Sequence, residues 1–404
     1  MKRSEHRILT THVGSLVRPA KLRELAEAAR NSPGSQQRYE DGLRECVAEA
    51  VQMQAKAGID IVNDGEYGKS SWANYVLERI SGFVTRPDQL RPVVWLGRDR
   101  DRFPDVMAAE FPWMAAGVPT VACVGPIKYL DLGPLERDIR NLQAALRSVK
   151  VEEAFLPVVA PASTAYDGVN EYYPTEKEYV YAIADALREE YRAIHKAGLV
   201  VQVDDAVLAN MYDHFVQQSP KHYRQWAGLR IEALNHALEG IPEDRVRYHV
   251  CFGSWHVPHL SDAPLEEILG FILSVRAGAY SIEAANPRHE HEWRVWETRK
   301  LPKGKILIPG VVTHHTITVE HPRLVADRIV RFARLVGREN VIASTDCGFA
   351  QADRIVRVPA SVMWAKFEAL AEGARIASKE LWPKGKKSAK RKRKPAASKK
   401  RRRR

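Results

Sequence analysis

His249 and Cys251 stand two residues apart in the run RVRYHVCFG (245–253). On an extended strand, residues i and i+2 point to the same face, so an imidazole and a thiolate can converge on one metal ion. Glu283 and Cys347 end two later apolar runs, AYSIEA (279–284) and NVIASTDCG (340–348). One nitrogen, two sulfurs and a carboxylate oxygen form a set that zinc accepts in tetrahedral geometry. A packing role competes with this reading, because buried cysteine behaves as a small hydrophobe. Spacing alone does not choose between the two. Cys46 falls in an amphipathic stretch and Cys123 in mid-strand, so both read as packing residues. His289 and His291, in NPRHEHEW, offer a second pair, but with no thiol or third ligand nearby they read as a solvated loop.

The elements that must position these groups are short Val/Ile-rich runs. They cover 7–15, 58–66, 120–126, 151–161, 199–206, 245–253, 279–284, 305–312 and 340–348. Such runs suit buried parallel strands. Amphipathic helical stretches lie between most of them, clearest at 37–57, 176–197, 221–238 and 322–336, the last with Gly337 as its stop. Strand–helix alternation over this length implies an α/β fold, and eight or nine units favour a closed (β/α)8 TIM barrel. Nine runs exceed eight strands, and 151–161 is taken as the accessory one. The segment 85–118, rich in Arg, Asp, Pro and Trp, reads as an excursion capping the active face. In such a barrel, chemistry gathers at the C-terminal strand ends. Ser15, Glu66, Asp204-Asp205, His249, Cys251, Glu283 and Cys347 all fall there. For Glu66 and Asp204-Asp205, helix capping is the competing use.

The 404 residues hold 62 Lys+Arg against 50 Asp+Glu, a formal net charge of +12. The run from Lys384 to Arg404 supplies 14 of those cations and no acid. Residues 1–383 are left with 48 basic and 50 acidic groups, a net of −2. The basic excess is therefore no property of the body and does not make it a nucleic-acid protein. The run 384–404 carries no apolar residue larger than Ala or Pro, so it reads as a disordered tail. Loose attraction to nucleic acid or an anionic surface is its functional reading, and a solvated tail without a partner is the alternative. Residues 1–383 read as one catalytic barrel domain. Four cysteines are too few for a disulfide scaffold. No transmembrane run and no signal-peptide stretch is found, so the expectation is a cytoplasmic protein without membrane contact.

The same residues carry a family resemblance. TTHVGS at 10–15, DGE at 64–66, GP at 125–126, QVDDA at 202–206 and HVC at 249–251 occur in order. IE at 282–283, PGVVTHH at 309–315 and DCG at 346–348 continue the series. Over residues 8–350 the chain resembles the catalytic barrel of cobalamin-independent methionine synthase and its single-barrel relatives. The resemblance implies a zinc ion held by His249, Cys251, Glu283 and Cys347, binding the thiol of a small-molecule substrate. A free thiol has a pKa of about 8.5, so little is thiolate at neutral pH, whereas metal coordination deprotonates it. The thiolate would then take a methyl group from an alkyl donor, with His315 on the family's acid position and His314 one residue away. Ser15, Glu66 and Asp204 fall on positions that meet the polar end of homocysteine. The family's folate stretch carries an indole after GP, whereas this chain reads Ile127-Lys128-Tyr129-Leu130-Asp131. The runs 255–269, 282–293 and 319–329 resemble epoxyalkane:coenzyme M transferases, in which a sulfonate thiol opens an epoxide. Arg18 or Arg288 would be the cation for such a thiol. A corrinoid methyl donor is a further alternative, and a nucleic-acid-associated protein is the reading from a different class.

Overall fold

A computed structural model describes residues 1–112, 117–166, 168–353 and 356–383. Eight parallel strands form one sheet in a (β/α)8 TIM barrel. They are β1 (Leu9–Thr10), β2 (Ile61–Val62), β5 (Glu153–Val159), β7 (Val200–Asp205), β8 (Val246–Val250), β9 (Ala279–Ile282), β10 (Ile306–Val312) and β11 (Ile342–Thr345). Their order is β1-β11-β10-β9-β8-β7-β5-β2. The two ends of that order are tied together where the Asp60 N–H donates to the Thr10 carbonyl and the Thr11 hydroxyl donates to the Ile61 carbonyl.

The remaining strands, β3 (Phe83–Arg91), β4 (Val118–Cys123) and β6 (Val169–Asn170), make a separate three-stranded sheet. This corrects the choice of accessory strand. The run 151–161 is a barrel strand, and the run at 120–126 is the one outside. The physical difference is burial. From Ala154 to Val159 every residue of β5 is buried, whereas β4 alternates between covered and open positions and pairs antiparallel with β3. The acids Glu152 and Glu153 sit at the start of β5. There Glu153 pairs with Arg245 and Glu152 with Arg7.

Seven of the eight strands send side chains into one inner cluster: Leu9, Ile61, Phe155, Val200, Ala279, Ile306, Ile308 and Ile342. β8 contributes Arg247 instead, its guanidinium 4.0 Å from the Phe155 ring centroid and donating to the Thr11 hydroxyl and the His12 carbonyl. A second, larger cluster fills the space between strands and helices. The helices follow the periodicity closely, at Gln36–Lys56, Glu176–Lys196, Pro220–Ala237 and Pro322–Val336. Glu176–Lys196 starts with a capping box, in which Thr175 and Glu178 satisfy each other's backbone N–H. Pro322–Val336 stops at Gly337, whose φ of +91° a side chain would strain.

Among the described residues no helix is long and apolar enough to cross a membrane. The basic run 384–404, read from sequence as a tail, lies outside the described residues.

Candidate metal centre and substrate cavity

β8 delivers His249 at its C-terminal end and Cys251 just beyond it, and the turn after β11 delivers Cys347. The Cys251 and Cys347 sulfurs lie 3.4 Å apart, in contact but unbonded, and all four cysteines are free. One ligand atom each from His249, Cys251 and Cys347 fall within 4.8 Å of one another, and all three residues are buried. His249 Nδ1 meets the Ser281 hydroxyl at 3.2 Å, while Nε2 is buried without a hydrogen-bond partner. Burial, then the neighbouring Arg247 charge, pushes this imidazole down to about 3, so it is neutral and keeps a free lone pair. The shared hydrogen bond with Cys347, followed by burial, pushes the Cys251 thiol well above its usual range. An orphaned imidazole nitrogen beside two touching thiols is a donor set that a borderline-soft dication satisfies. The residues present therefore fit zinc.

Glu283 is adjacent but turned aside. Its Oε1 accepts the Phe252 N–H at 3.0 Å and its Oε2 accepts Asn286 Nδ2 at 2.8 Å. It groups within 4.8 Å with His314 and Asp346 rather than with the three-member set. Burial, with Cys251 and Asp346 close by, pushes its carboxyl well up. Asp346 accepts the N–H groups of Ala284 and Ala285, both at 2.8 Å, and its other oxygen is buried without a partner. Gly310 is required here, because a Cβ would lie 2.1 Å from that carboxylate.

The two adjacent histidines separate. His314 is buried with both ring nitrogens unpartnered. His315, the sequence-predicted acid, is half-buried, its carbonyl accepting from His256 Nε2 at 2.7 Å. Burial and neighbouring cationic groups push it down to about 4. Their loop is pinned from behind: Glu320 accepts from the N–H and hydroxyl of Thr313, and the fully buried Lys366 donates to Glu320 at 2.9 Å.

The sulfurs open into a cavity of about 580 Å³ that Ser15, Glu66 and Asp204 also line. Glu66 adopts a φ of +57°, unusual for a residue with a side chain, and strain of this kind gathers at functional positions. Its carboxylate accepts from Lys69 at 3.4 Å, and Lys69 also donates to the Pro157 carbonyl. Asp204 accepts from Gln202 at 2.7 Å, and burial, then the Glu66 charge, pushes it well above the carboxylate range. Strand alternation splits the Asp204-Asp205 pair. Asp205 accepts the N–H groups of Val207 and Leu208, so the capping role falls to it alone. The Ser15 hydroxyl accepts the Ala350 N–H at 3.4 Å.

Aromatic side chains line the same cavity. Trp255 lines the cavity and stacks on Trp95 at 4.7 Å, with Phe111 edge-on at 5.3 Å. Trp95 and Phe111 come from the excursion between β3 and β4. Sequence reasoning singled out neither these aromatics nor His314, Asp346, Asn286 and Lys69 as a group. The only signal was that Asp346 precedes Cys347 at a strand end. The loop reading of His289 also needs correction. His289 is buried and stacked 3.8 Å from Phe252, with Nδ1 on Glu292 at 2.8 Å and Nε2 on Asp262 at 2.9 Å. His291 is exposed.

Comparison with known proteins agrees with this fold. A family model described as the catalytic domain of cobalamin-independent synthase matches residues 8–91 and 164–364. The methionine synthase of Thermococcus kodakarensis is 24% identical over 382 residues, covering 94% of this chain and 96% of that protein. The methionine synthase of Saccharolobus solfataricus is 24% identical over 380 residues, covering 93% and 96%. The solved structure of a B12-independent methionine synthase from a Shewanella species, in complex with selenomethionine, superposes with a TM-score of 0.69 at 21% identity. It covers 93% of this chain and 99% of that one.

Proposed function

The chain belongs to the cobalamin-independent methionine synthase family, and from that premise we propose that it transfers a methyl group to the thiol of homocysteine, forming methionine. The observation that carries this is the convergence of His249, Cys251 and Cys347 on a cavity that Glu66 and Asp204 also line. Curated relatives of matching length named methionine synthase support the same reaction.

His249, Cys251 and Cys347 would hold zinc, with Glu283 as the neighbouring fourth donor, and the metal would supply the Lewis acidity that keeps a substrate thiol ionised at neutral pH. Glu66 and Asp204 take the substrate ammonium, and Lys69 tempers their combined charge. Ser15 meets the polar end of the amino acid. In the transfer, the substrate sulfur forms a bond to the methyl carbon as the donor's bond to that carbon breaks. His315 takes the acid's role; being neutral in the free protein, it must first take up a proton, which its half-buried position allows, before it hands one to the departing atom. His314 stays with Glu283 and Asp346. The excursion between β3 and β4 covers this chamber and limits water.

The test is product formation by zinc-loaded protein given homocysteine with methyltetrahydrofolate, methylcobalamin or an epoxide, read by mass spectrometry. Methionine from either methyl donor supports the reading. S-alkylation by the epoxide alone, or no product at all, contradicts it.

A further inference from the structure

Arg18 and Arg288, the cations named from sequence, are tied up inside the fold. Arg18 donates to the carbonyls of Glu66 and Lys69, and Arg288 donates to the Leu260 carbonyl. Less committed arginines gather on the helices Pro322–Val336 and Ala360–Leu381. A groove of about 390 Å³ there is lined by Trp293, Arg323, Asp327, Arg331, Arg334 and Glu380, among others. Arg323 and Arg334 share the Glu380 carboxylate, at 3.9 and 2.9 Å, and Arg323 also lies 3.4 Å from Asp327. Arg331 and its neighbour Arg294 stack on Trp293, their guanidinium carbons 5.0 and 4.9 Å from the ring centroid. Among the described residues neither has an acidic partner. Arg338 continues the patch, donating to the Leu381 carbonyl and stacking on Trp382 at 4.6 Å. The body as a whole carries no basic excess, but on this patch the guanidiniums outnumber the carboxylates.

The patch leads into the strongest charge feature of the sequence. The run 384–404, with 14 cations and no acid, follows directly after Trp382-Pro383. Its root lies at the end of the barrel where the strands begin. The Ile8 N–H, one residue ahead of β1, donates at 2.9 Å to Ser378 in the last turn of the helix Ala360–Leu381. Arg338 stands in the turn that leads into β11. The substrate cavity gathers where the strands end, so the patch and the cavity occupy opposite ends of the barrel.

Unpaired guanidiniums beside a dense run of cations suit a partner of dense, fixed negative charge. Duplex nucleic acid carries about one charge per 1.7 Å of its axis, and a guanidinium fork matches a phosphate. A bilayer anchor needs apolar side chains to bury, and the run has none larger than Ala or Pro. A single strand needs aromatic faces for its bases. The run has no aromatic residue, and arginines already stack on Trp293 and Trp382.

We propose that this patch and the run 384–404 together form a binding surface for duplex nucleic acid, one that engages the phosphate backbone rather than the base sequence. It is independent of the reaction proposed above.

The experiment is a titration of fluorescently labelled duplex with the full-length protein, read by anisotropy between about 50 and 200 mM salt. Two duplexes of unrelated sequence are compared, with phosphatidylserine vesicles as the second anionic probe. Wild type is expected to bind both duplexes within about 2-fold of each other, and to lose affinity about 10³-fold or more across that salt range. Each phosphate contact contributes about 0.9 to the slope of log affinity against log salt. Replacing the four terminal arginines, Arg401→Gln to Arg404→Gln, should therefore make the slope shallower by about 3 to 4, and Arg294→Gln with Arg331→Gln by about 2. Thermal melting checks that both variants are folded. Full-length protein that does not bind duplex overturns the proposal. So does a slope that either set of substitutions leaves unchanged, one duplex bound far more tightly than the other, or vesicles bound more tightly than duplex at equal phosphate.

Discussion

Two buried histidine clusters sit side by side on this barrel face, and they are built on opposite rules. In one, His289 is clamped between Asp262 and Glu292, and His259 adds a second imidazole to Asp262 at 2.9 Å. Both nitrogens of each ring are partnered. Burial alone would lower His289, but the two carboxylates more than offset it and raise the imidazole to about 10. In the other, His249 Nε2, both nitrogens of His314 and one oxygen of Asp346 are buried without partners, and the histidines are pushed down while the acids are pushed up. A network that satisfies itself is a fastener. A network that leaves donors and acceptors unmet in a buried place is arranged for something that arrives. The fastener serves the site, since it joins the 253–265 loop to the 284–294 loop, and His289 stacks on Phe252, whose N–H holds Glu283.

This contrast can be broken by substitution, and the largest effect belongs to the unsatisfied cluster. Cys251→Ser and Cys347→Ser should each abolish stoichiometric zinc and lower methyl transfer by roughly 10³-fold or more. Their thermal stability without metal should stay close to wild type, which separates a binding role from a packing role. In the satisfied cluster the result should invert. His289→Asn leaves buried Glu292 without its cation and half-buried Asp262 with His259 alone, at a cost of about 3 kcal/mol. Differential scanning calorimetry should show a clear drop in Tm, while the zinc content of the folded protein remains. Asn286→Ala sits between the two clusters, freeing one oxygen of Glu283. Competition with a chelator should show zinc affinity lowered about 10- to 100-fold, as for other residues that orient a metal ligand.

The smallest effect is in pH. His289 has its folded pKa raised above the ordinary value of about 6.5, so its stabilisation is fully present below that value. It is lost as pH rises towards about 10. Wild-type Tm should therefore decline between pH 7 and 10 with a component that His289→Asn lacks. Parallel slopes for the two proteins would remove the imidazolium from the account.

Much of this was legible in the sequence. Periodicity located four outer helices almost to the residue, because each amphipathic stripe faces a sheet buried on its far side. The i, i+2 spacing brought His249 and Cys251 to one face, and strand order brought Cys347 to meet them. What was missed depended on partners distant in sequence. The run 151–161 reads as accessory, yet its acids Glu152 and Glu153 find their partners Arg7 and Arg245 at 145 and 92 positions away. NPRHEHEW looked solvated because Asp262, which buries His289, lies on another loop. Strand alternation could have divided Asp204 from Asp205. No local pattern could have placed Trp255 and Trp95 on one cavity, since they come from two separate loops.

The central claim is that the unpartnered cluster is a thiolate-rich zinc site. X-ray absorption at the zinc edge of the purified full-length protein tests it most directly. The account predicts one zinc per chain with two sulfur neighbours at about 2.3 Å and nitrogen or oxygen completing a four-coordinate shell, and loss of that stoichiometric zinc in Cys347→Ser. A zinc shell of nitrogen and oxygen alone, or a spectrum unchanged by that substitution, would contradict it.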